Sequence, residues 1–260
     1  FLLYYLHQMA KFEKILDNII FYCFIALATV TPLLFTTINT ELYEVPKMFF
    51  VYSISLILLF ATVAKFVIKR EKIIPKNIII FTFLTFLIIQ TLSTLISIDK
   101  YTSVFGFPTR LNGGLLSQFA YLFILFAGLV NLNKDAIVRI LKAVVITAFA
   151  VSVWGIPSHF GYDPTCVILV KKLTSACWQK EFDPTLRIFS TLGQPNWLAS
   201  YLVLILPLSV YFAQTSQKRA KLFYLFTALT ILVAIIYTTS RSGFLGVFVS
   251  SGIFLGLFAF

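Results

Sequence analysis

The stretch Thr238-Thr239-Ser240-Arg241-Ser242-Gly243 places one guanidinium among four hydroxyls, beside a glycine that permits a tight backbone. A planar guanidinium with hydroxyl and backbone donors around it suits a phosphate or pyrophosphate, which it grips through paired N–H bonds. The plainer reading is an arginine that caps a helical hairpin and snorkels to a membrane surface. A second stretch runs from Arg187 through Ser190-Thr191-Leu192-Gly193-Gln194-Pro195-Asn196-Trp197 into an apolar run. A polar start of this kind turns the first helical N–H groups toward the helix end, and such ends attract anions. Here the plainer reading makes Gln194-Pro195-Asn196 a helix start with asparagine as its cap.

A third bend, Phe105-Gly106-Phe107-Pro108-Thr109-Arg110-Leu111-Asn112-Gly113-Gly114, again sets an arginine in a glycine-rich turn before an apolar run. One such arginine is ordinary; three point to an anionic ligand held by Arg187, Arg241 and Arg110, with Asn196, Ser240 and Ser242 as polar partners. Lys47, after Glu44-Val45-Pro46, reads as an interfacial anchor. Trp154 fits an aromatic belt, whereas Trp178 and Trp197 leave open either the belt or stacking on a sugar. His159 is a weak candidate for a general base, because a lone loop histidine is more often not catalytic. Cys166 and Cys177 lie eleven positions apart in one connection and form a disulfide if that side is oxidising; Cys23 reads as packing. No Cys/His metal spacing, Walker loop, dinucleotide fingerprint or paired-carboxylate motif occurs, so no metal or nucleotide cofactor is implied.

The elements that must position these residues follow from composition. The chain has 260 residues, 59% hydrophobic and 12% charged, with mean hydropathy +0.93. Soluble chains carry about 25% charged residues, so this one cannot coat a globule with polar surface. That excludes a disordered chain, a nucleic-acid module, a disulfide scaffold and a soluble dinucleotide-binding enzyme. The net charge of +11 is better explained by membrane topology than by nucleic acid. Apolar runs at about 16–38, 48–67, 77–97, 113–132, 140–156, 192–213, 222–239 and 243–260 predict an all-α, polytopic membrane protein of about eight transmembrane helices. Pro32 and Pro207 fall inside runs and are expected to kink them.

Residues 1–15 read as a cytoplasmic flank with the natural start at Met9, and 16–260 as one helical membrane domain with a long loop at 157–191. The last run stops without a polar flank, so the chain is expected to be truncated at its C-terminus. Alternate connections hold 13 and 8 Lys and Arg residues. The positive-inside rule then puts the N-terminus in the cytoplasm and the long loop outside. No ionisable residue lies near the middle of any run, which disfavours an ion-coupled transporter or pump.

Thr-Ser-Arg-Ser-Gly at 239–243, with Ser-Thr-Leu-Gly-Gln-Pro-Asn-Trp-Leu-Ala at 190–199, resembles the O-antigen ligase/polymerase superfamily of bacterial envelope proteins. Glu44-Val45-Pro46-Lys47 and the 105–114 bend fit the same family's early connections, so the resemblance covers roughly 40–260. It implies a multi-pass glycosyltransferase of the bacterial cytoplasmic (inner) membrane, active at the outer face in cell-envelope polysaccharide or lipopolysaccharide biosynthesis. Such a protein passes a glycan from an undecaprenyl-pyrophosphate carrier to a glycolipid, glycan or protein acceptor. It also implies that Arg187 and Arg241 bind the pyrophosphate and stabilise it as leaving group, which fixed guanidinium groups can do. The ligases' catalytic histidine, in a later outer loop, has no counterpart here, since His159 lies in a different connection; a fragment lacking it is expected to be inactive alone. Gln194 stands where many relatives carry Asn.

The competing expectation is a transporter or flippase-like protein without covalent chemistry, in which polar groups would gather at the midplane and not at a rim. The topology has a direct check: a membrane-impermeant maleimide should label single cysteines introduced at 171–175 in intact cells and leave one at 72 unlabelled. The reverse pattern would invert the orientation.

Overall fold

A computed structural model describes residues 2–38, 41–69 and 78–259. Among these residues the chain is all-α without strands. The helices are α1 (Leu2–Leu33), α2 (Glu44–Lys69), α3 (Ile78–Leu95), α4 (Lys100–Phe105), α5 (Leu115–Asn131), α6 (Lys134–His159), α7 (Pro164–Val170), α8 (Pro195–Thr215), α9 (Lys218–Tyr237) and α10 (Arg241–Ala259). Short 3-10 turns occupy Lys180–Phe182 and Ser190–Leu192. Each of the eight apolar runs forms a helix, and α1, α2, α3, α6, α8 and α9 are long and apolar enough to cross a membrane. Large apolar side chains stand exposed along them, among them Phe60 at 71% and Leu204 at 76%. Only an apolar medium leaves such surfaces without cost. The protein is a multi-pass helical membrane protein. The expected orientation draws on Arg70, Lys72 and Lys76, which lie outside the described residues.

By packing, the chain forms two compact units, residues 1–27 with 44–140 and residues 28–43 with 141–260. The first is organised by apolar stripes at helical spacing: Leu16, Ile20 and Cys23 on α1 meet Ile54, Leu58 and Ala61 on α2 and Ala127 on α5. This is the pattern expected of helices that bury one face. The 105–114 bend belongs here and closes on itself. Gly106 has φ +83°, and a Cβ there would lie 2.3 Å from the Asn112 carbonyl oxygen. Asp99 caps α4 by accepting from the Thr102 N–H, and the Thr102 hydroxyl, then its backbone N–H, holds the Asp99 carboxyl below the usual range. The Tyr52 hydroxyl donates to the Leu111 carbonyl (2.5 Å), and that of Tyr121 donates to Asn112 Oδ1 (3.0 Å).

In the second unit Val145, Ala148 and Val151 on α6, Leu198 and Leu202 on α8, and Ile231 and Ile235 on α9 are fully buried. The α8–α9 hairpin is pinned by the Ser209 hydroxyl donating to the Tyr224 carbonyl (3.0 Å). Small residues let α10 approach α8: a Cβ on Gly243 would sit 2.8 Å from Ala199 Cβ, and one on Gly246 3.0 Å from Val203 Cγ1. Close backbone approach over small residues is how helices associate where no hydrophobic drive exists between them.

Several boundaries differ from the sequence expectation. The first run leaves the helix after Leu33, where Thr36 N–H bonds the Leu42 carbonyl. Pro32 is therefore in the final turn of α1 and marks its end, with the Thr191 hydroxyl donating to its carbonyl (2.8 Å). Helix α6 passes through Pro157 to His159, so the long connection starts later than expected. It holds α7, which Asp163 caps by accepting from the Thr165 N–H (2.8 Å), and a Cys166–Cys177 disulfide with Cα atoms 5.7 Å apart. Replacing both cysteines by serine should lower stability by about 3 kcal/mol, the chain-entropy value for a loop of this size. Thermal unfolding with and without reductant checks this: reductant should lower the Tm of the parent alone, and equal Tm values throughout would contradict it.

Candidate functional site

Helix α9 ends because Thr238 turns its own hydroxyl back onto the Ile235 carbonyl (2.6 Å). Thr239 follows with φ +48°, and α10 begins at Arg241. A β-branched residue in the left-handed region is disfavoured, so this turn is held by its surroundings. Ser240 does most of the holding. Its hydroxyl oxygen accepts from the Gly243 N–H (3.2 Å), and its carbonyl accepts from the Phe244 N–H (3.0 Å). Its proton goes to Asn196 Oδ1 (2.9 Å). A serine has one hydroxyl proton, so in the 3.0 Å contact between Ser240 and Ser242 the donor is Ser242.

Asn196 stands in the first turn of α8. Its Oδ1 also accepts from Arg187 Nη2 (3.1 Å), and because arginine has donors only, the atom facing it is the oxygen. Arg187 Nε donates to the Thr238 carbonyl (3.1 Å), while the Ile188 N–H bonds the Tyr237 carbonyl (3.1 Å). One amide oxygen thus joins the stretch before α8 to the turn before α10. Arg187, Asn196, Ser240 and Ser242 form one hydrogen-bonded network, and Arg241 follows Ser240 directly as the first residue of α10. Both arginines are exposed, and neither α8 nor α10 carries an acid in its first turn. The starts of α8 and α10, joined through Asn196 and Ser240, and the Arg187 guanidinium beside them make a corner suited to an oxyanion.

The asparagine cap expected at Asn196 is corrected here. Gln194 is the N-cap and Pro195 the first helical residue, and the Asn196 oxygen is committed to Arg187 and Ser240. Arg110 is not part of this network. It pairs with Glu44 (3.1 Å) in the other unit, whose bend is explained by chain crossing. His159 ends α6 with its ring stacked on Tyr237 at 4.0 Å, next to the residue that accepts from Arg187, and its Nδ1 is buried without a hydrogen-bond partner.

Trp178 has a structural task. Its indole N–H donates to Asp163 (2.6 Å), a residue 2% exposed, and its ring meets Tyr43 and Phe189. Trp154 donates to the Thr165 hydroxyl (3.1 Å). Burial, then the Asp163 charge, pushes the Tyr43 phenol far above its usual range, opposed by a hydrogen bond with Thr165. This brace escaped the sequence reading, although Asp163-Pro164-Thr165 is a helix-start signature that could have revealed it. Trp197 is half-buried on α8.

Compared with protein-family models, curated proteins and solved structures, the chain matches none. Asn196→Ala should cost about 1 kcal/mol, the net worth of a lost hydrogen-bond pair at a partly solvated site. Chemical denaturation in detergent would measure it, and an unchanged midpoint would show that the network does not hold the turn.

Proposed function

We propose that the protein is a membrane glycosyltransferase that takes a glycan from an undecaprenyl-pyrophosphate carrier and passes it to an acceptor, in the manner of the O-antigen ligases and polymerases. The observation that carries this reading is the Arg187–Asn196–Ser240–Ser242 network, which ends at Arg241 between two helix starts. Departure of a lipid diphosphate concentrates negative charge at the bond that breaks. Guanidinium groups fixed beforehand meet that charge without reorganising, which lowers the barrier. Asn196 acts as a positioning residue: it orients Arg187 and anchors the turn that presents Arg241. The orientation proposed puts this corner at the outer face of a bacterial cytoplasmic membrane.

Binding of a polyprenyl diphosphate to the purified protein tests the reading without requiring turnover. The lipid diphosphate should raise the Tm, whereas the corresponding polyprenol should not. Arg241→Ala and Arg187→Ala should each weaken binding about tenfold or more, since each removes a charge-assisted contact. Equal shifts with diphosphate and alcohol, or unaltered binding by both variants, would refute the assigned site. Polyprenol transport with no need of either arginine would instead favour a flippase-like protein.

A further inference from the structure

The second unit carries a basic patch at the end away from its long connection. The α8–α9 turn and the first turn of α9 line a cleft of about 820 Å3 with Ser216, Gln217, Lys218, Arg219 and Lys221. All three cations are exposed. The acids of this unit, Glu41, Asp163, Glu181 and Asp183, belong to its other end. Glu41 accepts from the Tyr43 N–H (3.1 Å), Tyr43 stacks on Trp178, and the other three acids lie in the connection that precedes α8. Helix α8, with 21 residues and so about 31 Å long, separates them from the patch. Within the unit the positive charge of the cleft therefore stands without a neutralising carboxylate.

Two of these cations share a face of α9 with an apolar groove. Lys218, Lys221, Leu225, Leu229 and Leu232 follow one another at steps of three or four residues, which sets them in one stripe of the helix. The three leucines line a groove of about 470 Å3, together with Val210 and Gln214 on α8 and Val247 and Ser251 on α10. On α8, Gln214 in the groove is two residues from Ser216 in the cleft. Gly243 and Gly246 hold the start of α10 against Ala199 and Val203, and the groove opens beyond that contact. It follows α8 from Leu206 to Gln214, about 12 Å, which fits within half of a roughly 30 Å hydrocarbon core. That is the reach of an acyl chain in one leaflet.

We propose that this end of the second unit binds an anionic glycerophospholipid of the phosphatidylglycerol type, its phosphate at Lys218 and Lys221 and one acyl chain in the groove. The Ser216 hydroxyl and the Gln217 amide supply further donors for the head, and lysine ammonium groups beside a membrane surface favour anionic lipid. A zwitterionic head would bring its own ammonium toward the two lysines. Lys142 provides an internal control. Its ammonium lies 5.9 Å from the centre of the Phe212 ring near the same end of α8, and Phe212 points away from the side of α8 that carries Val210 and Gln214.

Native mass spectrometry of the purified protein tests this, with equal amounts of phosphatidylglycerol, phosphatidylethanolamine and a polyprenyl phosphate. Phosphatidylglycerol should be retained about tenfold over phosphatidylethanolamine, as expected for two lysines acting on one head. The double variant Lys218→Gln/Lys221→Gln should abolish that preference, whereas Lys142→Gln should leave it intact. Leu229→Trp, at an exposed position of the groove, should weaken retention of long-chain but not short-chain phosphatidylglycerol. Circular dichroism and gel filtration show that each variant is folded. Equal retention of the lipids by the parent protein would overturn the proposal, as would a preference for the polyprenyl phosphate. An equal loss in Lys142→Gln and in the double variant would also overturn it, since the effect would then belong to overall charge and not to this site.

Discussion

The Asn196 carbonyl oxygen is the point on which the second unit's polar end depends. It accepts from Arg187 and from Ser240, so a single first-turn side chain fixes the approach to α8 and the turn into α10. An amide oxygen has two lone pairs, and both are taken. Around it every choice is local and cheap: Thr238 closes α9 on itself, Ser240 caps α10, and Gly243 lets α10 lie against Ala199. Neutral oxygens, not carboxylates, orient Arg187, which leaves its guanidinium positive toward an incoming anion.

The same economy recurs in the rest of the molecule. Buried polar groups in the long connection converge on Asp163, which takes the Thr165 N–H and the Trp178 indole, with the disulfide closing the loop beside them. In the first unit Lys65 pairs with Asp17, and Asn131 donates to the Thr62 hydroxyl (3.2 Å). Away from water an unpaired polar group is costly, and these side chains are tied to partners close by, whereas Ser152, Ser158 and the His159 Nδ1 are buried without a hydrogen-bond partner.

The helices were legible because an apolar run in a chain this poor in charge has few alternatives: all eight runs became helices. Their ends were less legible. Pro32 closes α1 and Pro157 sits inside α6, a difference set by what each carbonyl and side chain meets. Gathering Arg187, Arg241, Asn196, Ser240 and Ser242 as a group was possible because all lie in two short polar stretches beside helix starts. The role of Asn196 was not, since a capping asparagine and a bridging one read alike in sequence. Tyr43, Trp154, Asp163 and Trp178 escaped because their contacts span up to 135 positions. Arg110 was grouped by its type and its glycines, which serve the chain's own crossing.

On the proposed reading the two arginines act together on one diphosphate. Solid-state nuclear magnetic resonance measures that contact directly, as dipolar coupling between 15N-labelled arginine guanidinium groups and the 31P nuclei of a bound polyprenyl diphosphate. Strong coupling to both phosphorus nuclei is predicted in the parent protein. It should be lost in part in Arg187→Lys and in part in Arg241→Lys, and fully in the double variant. Coupling that persists in the double variant, or is absent from the parent at saturating ligand, would contradict a diphosphate site at this corner.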